Sequence, residues 1–76
     1  MTPKLMTNIN ILNAQFQLTN REYEKAIESI NIALDVNPTN KNALKWKAII
    51  YRDQHKFFDA LVIFQKVLDM YVFISL

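Results

Sequence analysis

An all-α fold is expected, on three observations. The 76-residue chain contains no glycine and only two prolines, Pro3 and Pro38. β-Hairpins, sandwiches and phosphate-cradling loops need backbone at positive φ, which glycine supplies at least cost. Apolar residues recur at helical spacing through four segments separated by short polar breaks. The apolar fraction of 51% is too high for a disordered chain. At this length residues 1–76 are expected to form one small domain with a thin core.

The first helix is expected from Pro3 to about Leu18, with Thr2 before a proline that loses nothing at the first helical position. Leu5, Ile9, Leu12 and Phe16 follow one another at spacings that make one apolar stripe. The second helix is expected from about Arg21 to Val36, with Thr19 and Glu22 at capping-box spacing. Tyr23, Ala26, Ile27, Ile30, Ala33 and Leu34 share one side of it, and Glu24, Glu28 and Asp35 the other. Asn37-Pro38-Thr39-Asn40 is the clearest break, because Pro38 lacks a donor and disfavours helical backbone at Asn37. A third helix from Lys41 to about Gln54 carries Leu44, Ala48 and Tyr51 on one line, flanked by Ala43, Trp46 and Ile50. The fourth runs from Phe57 to about Tyr71 and is apolar over more than half its circumference, which calls for more than one neighbour. Thr19-Asn20 and His55-Lys56 are the expected turns, with Asn20 and His55 suited to left-handed backbone. Links this short imply antiparallel pairs.

The two halves match in character when one is slid along the other until Tyr23 meets Phe57. Ala26 then meets Ala60, Ile27 meets Leu61, Ile30 meets Phe64, Ala33 meets Val67 and Leu34 meets Leu68. The small residue lets two helices approach closely, and the aromatic before it plugs the turn. This 34-residue period, with Tyr23-Glu24-Lys25-Ala26-Ile27, Ala33-Leu34, Asn37-Pro38-Thr39-Asn40, Ala43-Leu44, Ala48, Tyr51, Phe57, Ala60-Leu61 and Phe64, resembles the tetratricopeptide repeat over residues 6–71. The resemblance implies four helices in antiparallel hairpins, stacked as a short right-handed solenoid. Repeat one would cover 6–40 and repeat two 41–71, with an apolar tail at 72–76. The chain departs from the family pattern where glycine is usual, with Asn13 and Asn20 in the first hairpin and Ala48 and His55 in the second. Leu12 and Phe16 fit the pattern only with one residue inserted near Thr19-Asn20. The closing proline of the second hairpin is absent.

Catalytic and metal chemistry find no residue set. His55 is the only histidine, cysteine is absent, and Asp53, two residues from His55, points to a different side of a helix. No catalytic role, metal or cofactor is expected, and His55 reads as a turn residue. Net charge is +2, with residues 1–38 at −1 and residues 39–76 at +3. Lys41, Lys45, Arg52 and Lys56 form a basic stripe on the third helix, which as a bare pattern is equally a solvated face. The family lines its concave, peptide-binding groove with the first helix of each hairpin. By resemblance the groove residues are therefore Asn42, Lys45, Ile49 and Arg52, with Thr7, Asn10, Ala14 and Gln17 as the matching set of the first hairpin. A polar groove with a basic end suits an acidic segment or a terminal carboxylate, and asparagine both donates to and accepts from peptide backbone. Lys47, amid the apolar side of this helix, is expected to lay its stem on the core.

Stacked repeats leave an apolar end unless a capping helix follows. Ile63, Phe64, Val67, Met70, Val72, Phe73 and Ile74 therefore mark an expected docking or oligomer face. Self-association or membership of a larger assembly ranks ahead of a truncated piece of a longer array. The expected function is a non-enzymatic protein-interaction module, an adaptor or scaffold; the alternative is a purely structural subunit. Nucleic-acid binding ranks lower, because the aromatics are read as core residues rather than stacking platforms. No secretory signal or bilayer-length apolar run is visible, so a soluble, intracellular, cytoplasmic protein is expected.

Overall fold

The computed structural model describes residues 2–75, with side chains described through residue 72. Helix α1 spans Pro3–Thr19, α2 Tyr23–Val36, α3 Lys41–Asp53 and α4 Phe57–Ser75. No strand occurs among the described residues. The start of α1 follows from Thr2-Pro3: the Thr2 hydroxyl accepts from the Leu5 N–H at 3.2 Å, and proline occupies the first turn. The Pro38 break ends α2 at Val36. The Asn40 side-chain oxygen then accepts from the Ala43 N–H at 2.9 Å and starts α3.

Two local expectations are corrected. Thr19 does not cap α2; it is the last residue of α1, and its hydroxyl donates to the Gln15 carbonyl at 3.0 Å. Glu22 stands at the N-cap of α2 without a side-chain cap, and instead pairs with Lys25 at 3.0 Å on the surface. The left-handed residue of the first turn is Arg21 at φ 61, not Asn20, which sits at φ −86. In the second turn it is His55 at φ 62, as expected. Both turns close in the same way. The Arg21 and His55 N–H groups donate to the Leu18 and Arg52 carbonyls at 2.9 Å, and the Glu22 and Lys56 N–H groups to the Gln17 and Tyr51 carbonyls at 2.8 Å. These are paired Schellman closures, in which a left-handed residue just past the helix lets two N–H groups turn back onto orphan carbonyls.

The helix ends that flank the two turns recur in the register that pairs Tyr23 with Phe57: Thr19 falls on Asp53 and Arg21 on His55. No residue is inserted in the first hairpin. Residues 72–75 of the segment expected as a tail belong to α4, which continues to Ser75; Leu76 lies outside the described residues.

Helix α1 packs on α2 and α3 on α4, while α3 also meets α2 and, less extensively, α1. Among the described residues α4 approaches neither α1 nor α2 at the backbone. The Cα envelope measures 38 × 34 × 15 Å, and its short dimension matches two helix layers about 8–10 Å apart. The core lies between the first hairpin and α3. It is built from Ile11, Ala14, Ala26, Ile30, Ala33, Ala43 and Ile50, with Leu18, Tyr23, Ile27, Leu34 and Trp46 packed around it. Four of those seven core residues are alanines, so helices meet nearly backbone to backbone and little apolar area is buried. Ile30 and Ile50 are the largest fully enclosed apolar side chains. One polar bridge crosses the first hairpin: the Ser29 hydroxyl and the Gln17 amide lie 2.7 Å apart. With its nitrogen turned to Ser29, the Gln17 amide also reaches the Lys25 and Asn13 carbonyls at 3.0 and 3.3 Å.

Helix α1 buries the side opposite to the expected one. Thr7, Ile11 and Ala14 are enclosed, and the Thr7 hydroxyl is satisfied by donating to the Pro3 carbonyl at 2.8 Å. The Leu5–Ile9–Leu12–Phe16 stripe faces solvent. The small side chains of Ala14 and Thr7 admit close packing, which the bulkier stripe would prevent. In α4 only Ala60 is buried among the described side chains.

Candidate functional site

The basic stripe of α3 lies at the surface. Asn42, Lys45 and Arg52 are exposed and Ile49 is half-buried. Helical geometry sets this: residues 42, 45, 49 and 52 advance by three or four, so they stay on one side of the helix. The opposite side carries Ala43 and Ile50 into the core. The Arg52 guanidinium donates through Nε and Nη2 to its neighbour Asp53 at 3.3 Å, and its side chain stays exposed. Lys45 Nζ lies 5.6 Å from the Trp46 ring centroid. The two outer cations are held differently: Lys41 Nζ stands 4.9 Å over the Tyr71 ring of α4 and Lys56 Nζ 5.8 Å over Tyr51.

The structure joins α3 to α1 here. Asn42 lines a cleft of about 310 Å³ with Asn8, Ile11, Leu12 and Gln15. The expected first-hairpin set does not line it. Thr7 and Ala14 are core, Gln17 is engaged with Ser29 of α2, and the Asn10 amide donates to the Met6 carbonyl at 2.9 Å. The cause is the inserted residue assumed from sequence. One residue is about 100° of helix, which turns a surface set into an interior one. In the register without an insertion the partners of Asn42, Lys45, Ile49 and Arg52 are Asn8, Ile11, Gln15 and Leu18. Asn8 and Gln15 are therefore the polar residues that sequence reasoning missed. Aligning the two turns with no insertion, Arg21 on His55, is the signal that finds them.

Of the expected docking face, Phe64, Val67 and Met70 are half-buried and Val72 is exposed; Phe73 lies outside the described side chains. The outward side of α4 is instead Phe57, Phe58, Leu61, Leu68 and Val72. Phe16, Phe57 and Phe58 are exposed and not core aromatics. Lys47 is half-buried with Leu34, Pro38, Leu44, Val62, Ile63 and Lys66 around a second cleft of about 370 Å³, as its expected stem-on-core placement requires. His55 is an exposed turn residue packed edge-on to Phe57, with centroids 5.6 Å apart. Among the described residues no three His, Asp or Glu side chains gather as metal ligands. No described helix is long and apolar enough to cross a membrane.

Fold and surface together define a small all-helical protein with one polar, partly basic face across α1 and α3. No family model, curated protein or solved structure matches the chain.

Proposed function

We propose that this chain is a non-enzymatic helical-repeat interaction module of the tetratricopeptide type, a short right-handed solenoid of two hairpins. It receives an extended, acidic protein segment across α1 and α3 and docks through its apolar α4 end. The observation that carries the reading is the shared face of Asn8, Gln15 and Asn42 with Lys45 and Arg52. Polar side chains that both donate and accept line its α1 side, and two outward cations sit on its α3 side. Amides satisfy the backbone of an extended peptide, and the cations select a carboxylate by charge-assisted hydrogen bonds. The recurrence of the Schellman turns and of the helix ends beside them supports the repeat reading. A cytoplasmic adaptor or scaffold is the role that follows.

The test is binding of fluorescent extended peptides, one rich in Asp and Glu with a free C-terminal carboxylate, the other its Asn/Gln counterpart. Lys45→Glu with Arg52→Glu removes two favourable charges and installs two unfavourable ones. At roughly 0.2–1 kcal/mol for each exposed pair lost or opposed, affinity for the acidic peptide falls about fourfold or more. The neutral peptide is unaffected, helicity is retained, and the difference shrinks as salt is raised. Equal affinity of wild type and double variant for the acidic peptide removes the groove assignment.

The exposed apolar side of α4 favours a second reading, a structural subunit of a larger assembly in which the polar face takes no free ligand.

A further inference from the structure

Two apolar stripes stand unburied at opposite ends of the helix order. One is Leu5, Ile9, Leu12 and Phe16 on α1, with Leu12 62% and Phe16 69% exposed. The other is Phe57, Leu61 and Leu68 on α4, with Leu61 65% and Leu68 56% exposed. The contact between the two hairpins shows what each is shaped to meet.

Advanced by one repeat, the α1 stripe falls on α3. Ile9 becomes Ala43, Leu12 becomes Trp46 and Phe16 becomes Ile50. Ala43 and Ile50 are fully buried where α3 meets the first hairpin, and Trp46 packs beside them. The α1 stripe is thus the leading face of a hairpin, and no described residue covers it. The α4 stripe maps in the reverse sense. Phe57, Leu61 and Leu68 take the places of Tyr23, Ile27 and Leu34, which pack around the core that the first hairpin forms with α3. They are the trailing face of a hairpin, left exposed by the described residues. The leading face of one molecule therefore suits the trailing face of another in apolar character and helical position, with Ile9 standing where the internal contact has the smaller Ala43. The contact already inside the chain is the template.

We propose that a second copy of this chain docks its α1 stripe onto the exposed side of α4, repeating between molecules the contact that α3 makes with α2. The inference rests on the reading that the α4 end docks, and supplies its partner. The contact is head-to-tail. Each dimer keeps one free stripe at either end, so growth does not close at two. It is weaker than its internal template. Lys45 and Arg52 replace Ile11 and Leu18 beside the trailing face, and no covalent link holds the copies at high effective concentration.

Sedimentation equilibrium tests this with two double variants. Of the two docking faces, Leu12→Asp with Phe16→Asp spoils the leading one, and Leu61→Asp with Leu68→Asp the trailing one. Wild type is expected to rise in average mass with concentration from 9.0 kDa, passing two copies without a plateau. Each variant alone is expected to stay at one copy where wild type associates. Their equimolar mixture is expected to form a 1:1 complex and nothing larger, because one good face remains on each. Circular dichroism checks helicity, and the Gln versions of the same four substitutions keep the test in force where Asp disturbs a helix. A leading-face variant that dimerises by itself would overturn the head-to-tail contact while leaving α4 as a docking surface. Wild type at one copy up to about millimolar concentration would overturn both. Leu12 also borders the Asn42 cleft, and Lys45 and Arg52 lie beside the trailing face, so the peptide measurement is made with wild type and the Leu61→Asp, Leu68→Asp variant at a concentration where both are one copy, and its outcome is then independent of association.

Discussion

Replacing Arg21 by glycine is expected to stabilise the protein, although it deletes a long side chain. Arg21 sits at φ 61 just past α1, at the position of a Schellman closure where glycine is the usual occupant. A Cβ in left-handed backbone costs roughly 1–2 kcal/mol through its clash with the following carbonyl. Glycine returns about 0.5–1 kcal/mol of that in unfolded-chain entropy. The net gain is about 0.5–1 kcal/mol, because the Arg21 side chain is exposed and makes no ion pair among the described residues. For a domain of this size about 1 kcal/mol corresponds to roughly 4–8 °C in Tm. His55→Gly has the same backbone gain at φ 62 but loses the edge-on contact with Phe57, worth about 0.5 kcal/mol at an exposed site. The expected order of Tm is therefore Arg21→Gly above His55→Gly, and His55→Gly at or slightly above wild type. Arg21→Ala keeps the Cβ and is expected to gain nothing. Thermal and urea unfolding followed by far-UV circular dichroism reads all three, at low micromolar protein so that association does not raise Tm. An Arg21→Gly protein no more stable than Arg21→Ala would refute the left-handed assignment and the energy argument with it.

Ile30→Ala is expected to leave the chain largely unfolded at room temperature, by far-UV signal and loss of a cooperative melt. Truncating a fully buried isoleucine costs about 2–5 kcal/mol, and a core this small supplies only about 3–5 kcal/mol in all. Ser29→Ala is expected to cost about 1 kcal/mol, read as a lower urea midpoint with an unchanged slope. It removes one hydrogen bond, while the Gln17 amide keeps the Lys25 and Asn13 carbonyls within reach.

The length and position of all four helices were legible from sequence, the largest difference being the C-terminal end of α4 at Ser75 instead of Tyr71. The reasons are local. Pro3, Pro38 and Asn40 act on their own backbone, and helical spacing of apolar residues is a one-dimensional pattern. The echo between the halves and the two alanines at Ala26 and Ala60 were legible for the same reason, and both alanines are buried. The α1 side of the candidate groove was not. Its assignment passed through an assumed insertion, and a helix converts an error of one residue into about 100° of rotation.

What the amino-acid order determined by itself is that this chain makes rods, where they break, and that its halves echo each other. These are properties of neighbouring residues. What only the packing decided is which side of each rod is covered. Helix α1 has apolar residues on two sides, and periodicity ranks Leu5, Ile9, Leu12 and Phe16 above Thr7, Ile11 and Ala14. Close approach to α2 reverses that ranking, because the smaller side chains let the backbones meet, and it leaves the larger ones at the surface. The physical reason is that burial belongs to a pair of surfaces, and a sequence pattern describes only one of them.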